Sequence, residues 1–132
     1  MKPKILVVAA NYYGKITSTL SLYTSNILDK KAEYKFIKVP GVFEIPVVIA
    51  KNIKRYDGFI ALGCVIKGET PHFDFISKAT INEIMRLSVN FNKPIGNGII
   101  TCFNKKQALA RSSINNNKGK ESAKAIISLL KI

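Results

Sequence analysis

A single histidine, His72, stands in this chain, and it directly follows the run Gly68-Glu69-Thr70-Pro71. Threonine followed by proline is the pattern of a helix N-cap and first helical position, so residues 67–72 are expected to present free backbone N–H groups at a helix start. Such an end attracts anions, phosphate in particular, through those donors and the helix dipole. Gly68 lets a ligand approach the backbone closely. An imidazole in the first turn suits proton exchange with a bound substrate. A surface histidine without a role satisfies the same spacing.

Other candidates carry similar alternatives. Arg111 offers a fork of donors that fits phosphate better than a lysine point charge, or is an ordinary exposed helix residue. Glu44 accepts hydrogen bonds from ligand hydroxyls, or occupies the favourable first turn of a helix. Tyr12 and Phe43 stack on a planar ring, or belong to the core. Cys64 and Cys102 each end an apolar run and read as small buried thiols rather than nucleophiles. There is no Walker loop and no GxGxxG, since Gly96-Asn97-Gly98 lies inside a strand-like run and lacks the third glycine.

The elements that must position these residues alternate short β-rich runs with helical stretches, the pattern of a parallel sheet flanked by helices. Strands are expected at residues 4–10, 34–39, 57–64 and 94–102. After the first, Ile16, Leu20, Tyr23 and Ile27 set an apolar stripe on a helix ending near residues 29–31. A second helix enters at Phe43, with Ile45, Ile49 and Ile53 on one face and Pro46 in its first turn. A loop at 65–71 precedes a third helix, 72–91, striped by Phe73, Ile76, Thr80, Ile84 and Leu87. A short helix starts at Gln107 and a last one spans 121–130, with a loop at 112–119 between them. The two glycines of the fourth strand suggest close approach by another backbone or a ligand. The sum, βαβαβαβαα in one domain (1–132), fits an open α/β sheet whose ligand site lies outside the strand C-termini, where the loops carrying the candidates converge.

Composition narrows the classes. With 47% apolar residues the chain can bury a core without staples, and two cysteines give neither a disulfide framework nor zinc-ligand spacing. No apolar run approaches a membrane span, and the stretch after Lys4 is too short for a signal sequence, so the expectation is a soluble cytoplasmic protein. Twenty-one basic residues against eight acidic give +13, but only three are arginines and no basic cluster exceeds two in a row. A solvated lysine-rich exterior is therefore preferred over a nucleic-acid surface, with attraction of small anionic substrates as a by-product.

At the loops the sequence resembles the lumazine synthase family. The resemblance rests on VPGVFEIP (39–46), ALGCVIKGETPHFDFIS (61–77) and PIGNGIITCFNKKQALAR (94–111), in the expected order across nearly the whole chain. It implies a flavodoxin-like open parallel sheet of four strands with helices on both faces. It also implies condensation of 5-amino-6-(D-ribitylamino)uracil with 3,4-dihydroxy-2-butanone 4-phosphate to 6,7-dimethyl-8-ribityllumazine, phosphate and water, with no metal or organic cofactor. By the same resemblance His72 transfers protons, and Arg111 with Gly68, Glu69 and Thr70 holds the phosphate. Tyr12 occupies the stacking position, Val42, Phe43 and Glu44 bind the ribityl chain, and Cys64, Val65 and Ile66 line the uracil pocket. Lys118 matches a ring-contacting lysine if one residue is deleted before it.

This sequence departs from the family pattern at four places. Tyr13 stands for an asparagine, Asn97 for an aromatic wall of the ring pocket, Phe103 for a common acidic residue, and SSINNNKG (112–119) for a longer stretch. The resemblance further implies sites shared between subunits of a pentamer, which in some members builds a 60-subunit shell, and functional coupling to riboflavin synthase. Neither a nucleic-acid nor a membrane partner is implied. Rival readings are a ligand-binding or shell-forming relative without turnover, a riboflavin synthase sister, and a polyanion-binding protein.

Overall fold

The computed structural model describes residues 1–131. The order is β1 (Lys4–Ala10), α1 (Gly14–Leu28), β2 (Glu33–Val39), a single 3-10 turn (Val42–Glu44), α2 (Ile45–Lys51), β3 (Gly58–Ile66), α3 (His72–Phe91), β4 (Ile95–Cys102), α4 (Lys105–Arg111) and α5 (Lys118–Leu130). All strands are parallel, in the order β2-β1-β3-β4. Helices cover both faces, the flavodoxin-like open α/β arrangement.

Alternation along β1 shows why both faces must be covered. Ile5, Val7 and Ala9 join one core with Ile16 and Leu20 of α1 and Ile126 of α5. Leu6, Val8 and Ala10 join the other with Ile45 and Ile49 of α2 and Ile84 and Leu87 of α3. Successive side chains of a strand point to opposite faces, so an unbroken apolar run serves two cores. No helix among the described residues is long and apolar enough to cross a membrane.

Several boundaries differ from expectation for local physical reasons. The inner stripe of α1 is Ile16, Leu20, Thr24 and Leu28, while Tyr23 and Ile27 are only half-buried on its flank. Thr24 can be buried because its hydroxyl donates to the Leu20 carbonyl at 2.8 Å, as that of Thr17 does to Ala10 at 2.6 Å. The second helix begins as the 3-10 turn, and Ile53, though buried, lies beyond the end of α2. Helices α4 and α5 start earlier than expected because Asn104 and Asn117 cap them, accepting from Gln107 N at 2.9 Å and Lys120 N at 3.0 Å.

The two glycines of β4 admit a neighbouring helix rather than a ligand. A Cβ on Gly96 would stand 2.7 Å from the Ser122 carbonyl oxygen, and one on Gly98 2.9 Å from Ala61 O and 3.0 Å from Ser122 Oγ. The Ser122 contacts let α5 lie close on the sheet, whereas those of Gly98 with Leu62 and Ala61 are to the neighbouring strand β3. Gly96→Ala is therefore expected to destabilise the protein by about 1–3 kcal/mol, read as a lowered urea midpoint with an unchanged slope.

Candidate active site

The register of the central strands creates the crevice. Pairing of β1 with β3 ends at Ala9 with Leu62, whereas β4 follows β3 to Ile66 with Cys102. Beyond Leu62, β3 therefore keeps a neighbour on one side only. This happens between β1 and β3, where the chain order reverses and open sheets of this order bind ligands. The expected loop at 65–71 is correspondingly shorter, because Val65 and Ile66 still belong to the strand.

A cleft of about 500 Å³ opens there, and it gathers most of the predicted residues: Tyr12, Val42, Phe43, Glu44, Cys64, Val65, Ile66, Gly68, Thr70 and His72. Tyr12 is 76% exposed at the rim, its ring meeting that of Tyr13 edge-on at 4.9 Å. Val42 is buried in the 3-10 turn and Phe43 stands exposed beside it. The Glu44 carboxylate accepts from Gly41 N at 2.9 Å, so one oxygen closes the turn. The first-turn reading of Glu44 thus holds, alongside its place in the cleft.

At the other wall α3 begins. Pro71, rather than Thr70, occupies the N-cap position, and Thr70 Oγ1 accepts a long 3.4 Å bond from His72 N. Lys67 N is taken by the Cys102 carbonyl at 2.8 Å. The array of free donors is therefore narrower than expected. Among the described residues it consists of the N–H groups of Gly68, Glu69 and Thr70, which have no protein acceptor. Glu69 is exposed on this loop without lining the cleft. No protein atom lies within 4 Å of where a Cβ of Gly68 would sit, and its φ is not left-handed. Neither packing nor backbone conformation accounts for a glycine there, which leaves access to the backbone as its use.

Asn97, Arg111 and Lys118 are elsewhere. They line a second, polar cleft of about 300 Å³ along β4, α4 and the start of α5. The Arg111 guanidinium donates to the Thr101 carbonyl at 3.2 Å, Lys118 pairs with Glu121 at 3.0 Å, and Asn97 Oδ1 accepts from Ile99 N at 3.1 Å. The two linings share no residue.

Tyr13, Phe73 and Ile76 also line the main cleft without having been expected as site residues. Phe73 and Ile76 follow the apolar stripe of α3, which hides that its first turns overhang the sheet edge. Burial, then Tyr12 and Cys64, push the Tyr13 hydroxyl above its ordinary value.

Cys102 ends β4 as expected, while Cys64 stands two residues before the end of β3; both are buried thiols. Burial, then the neighbouring Cys102, pushes the Cys64 thiol up to about 12. A raised thiol pKa stabilises the fold fully below the ordinary value of 9.0, and the contribution is lost as pH climbs from there toward 12. The difference in melting temperature between wild type and Cys64→Ala is expected to be constant from about pH 7 to 8.5. Above about pH 9 it should shift steadily against the wild type, as thermal denaturation at stepped pH will show.

The sequence profile described as 6,7-dimethyl-8-ribityllumazine synthase matches residues 2–132. A protein of that name from Bartonella tribocorum is 41% identical over 134 residues, covering 98% of this chain and 89% of the relative. Its namesake from Bartonella bacilliformis is 40% identical, covering 98% and 90%, and that from Agrobacterium fabrum 39% identical, covering 99% and 95%. Identity at this level over nearly full length, on the fold and cleft just described, leaves one assignment: the chain belongs to the 6,7-dimethyl-8-ribityllumazine synthase family.

Proposed function

We infer that this chain acts as one domain, in the cytoplasm, and is a transferase of riboflavin biosynthesis. It condenses 5-amino-6-(D-ribitylamino)uracil with 3,4-dihydroxy-2-butanone 4-phosphate to 6,7-dimethyl-8-ribityllumazine, phosphate and water. The observation that carries this reading is the meeting in one cleft of Gly68 and Thr70, whose N–H groups have no protein acceptor, His72 beside them, and an aromatic and carboxylate wall opposite.

The residues divide the work by chemistry. The free N–H groups of Gly68, Glu69 and Thr70 and the dipole of α3 suit a phosphate group. Tyr12 and Phe43 offer faces to the pyrimidine, the free oxygen of Glu44 a hydroxyl of the ribityl chain, and the one-sided end of β3 backbone groups for the uracil edge. The amine attacks the ketone and an imine forms with loss of water. Loss of a proton from the carbon beside the imine then expels phosphate from the next carbon. The resulting enol tautomerises to a ketone, and attack on it by the ribityl-bearing nitrogen, with loss of a second water, closes the ring. Each step moves a proton between substrate atoms, for which His72 is placed. Charge gathering on the departing phosphate oxygen is met by donors already aimed at it. Holding two flexible substrates in one orientation supplies the remainder.

Arg111, Lys118 and Asn97 lie in the other cleft of the same chain. This supports a composite site in a ring, a pentamer, in which the polar cleft of one subunit completes the main cleft of the next. A 60-subunit shell would be a further assembly of such pentamers, and riboflavin synthase the consumer of the product.

Product absorbance, corrected for the uncatalysed condensation, tests the reading. Wild type should exceed background clearly, and His72→Ala should lower kcat on the order of 10²-fold. Arg111→Ala should fall toward background. When His72→Ala and Arg111→Ala subunits are co-expressed in equal amounts, random assembly should restore about a quarter of the sites. Folded wild-type protein that binds the ribitylaminouracil without turnover would instead favour a ligand-binding relative. Gly68→Ala should keep the wild-type melting temperature while weakening inorganic phosphate binding measured by calorimetry.

A further inference from the structure

The segment that presents the unpaired N–H groups is weakly held from within. Residues 67–72 are all exposed, and among the described residues the one hydrogen bond inside this stretch is the 3.4 Å bond from His72 N to Thr70 Oγ1. Its far end is held by α3, where Asp74 N and Phe75 N donate to the Pro71 carbonyl at 3.1 and 3.2 Å, and the rest of its anchorage comes from the end of β4 and the turn that follows. Lys67 N donates to the Cys102 carbonyl there at 2.8 Å. The next residue, Phe103, places its ring centroid 6.2 Å from that of Phe73, with the planes 38° apart, and 5.3 Å from the Lys67 ammonium.

One side chain thus touches the residue before Gly68 and the residue after His72. Its own turn is fixed, since Phe103 N donates to Gln107 Oε1 at 2.8 Å and Asn104 caps α4. Phe103 is 64% exposed and lines neither cleft, so neither the core nor the reacting groups account for a large aromatic at this point.

We propose that Phe103 is a positioning residue that clasps both ends of the 68–72 loop, presetting its N–H groups and His72 before the sugar phosphate arrives. The proposal rests on the phosphate reading given above. An aromatic pair and a cation over a ring are each modest, but both act on the same short loop, and ordering the loop in advance removes an entropy loss from binding. The effect is confined to the substrate that uses the loop.

The test uses the full-length assembled protein with each substrate varied in turn. Phe103→Ala is expected to raise the KM for the sugar phosphate about five- to tenfold while the KM for ribitylaminouracil and the melting temperature stay as in wild type. Amide hydrogen exchange across residues 67–73 should quicken in the variant and slow again when inorganic phosphate is added. Phe103→Tyr, which keeps both ring contacts, should behave as wild type. Equal exchange in Phe103→Ala and wild type, equal rises in both KM values, or a Phe103→Tyr protein resembling Phe103→Ala would each overturn the clasp. Absence of wild-type turnover would overturn the catalytic reading instead, and the exchange measurement would still decide the role of Phe103.

Discussion

Everything at the candidate site depends on β3 outlasting its neighbour β1. The strand is apolar from Phe59 to Leu62 because both of its faces are buried, and it is central because β1 and β4 flank it. Its last residues keep β4 but lose β1, which turns away at Asn11 as that residue bonds to Val39. Backbone groups are thereby left open at a place that side chains cannot fill without blocking the sheet edge. The 3-10 turn after β2 and the start of α3 after β3 approach this opening from opposite sides because their crossovers diverge. The cleft is therefore a product of strand register, and the side chains around it only refine its shape.

The stabilities of these parts differ. The floor is sheet, paired and buried, whereas the donor loop is exposed and tethered by few contacts. Unsatisfied N–H groups at the surface are solvated, so the fold loses little by leaving them unpaired, while the same groups inside a core would be strongly destabilising. Binding chemistry placed on the least anchored segment needs external support, and the structure has such contacts available from the turn after β4. A lysine-rich exterior with +13 surrounds the whole, which draws small anions toward the surface without selecting among them.

Much of the fold was legible because the apolar runs of β1 and β3 and the long periodic α3 carry strong, unambiguous signals. The misread stripe of α1 has a local cause: Thr24 is buried because its hydroxyl bonds to its own helix's Leu20 carbonyl, and Thr17 because its hydroxyl bonds to the Ala10 carbonyl at the end of β1, and hydropathy registers neither. The early starts of α4 and α5 similarly depend on Asn104 and Asn117 as caps, of which the second is the last of three consecutive asparagines. For the site, convergence at one sheet edge follows from the topology, so His72, Glu44 and Tyr12 were found together. Arg111, Lys118 and Asn97 fall in a different cleft because they lie along the outer side of an edge strand, a distinction that spacing along the chain does not carry. Phe73 was hidden within the apolar stripe of α3.

The buried thiol in the main cleft has a consequence for ligand chemistry. Cys64 is retained in its protonated form well beyond neutral pH. A protonated thiol is a poor nucleophile, so an inhibitor carrying an acrylamide or chloroacetamide warhead gains little by reaching it. The same sulfur is soft, polarisable and uncharged, a surface on which a flat heteroaromatic ring can rest. Reversible compounds with a planar head suit this pocket better than covalent ones.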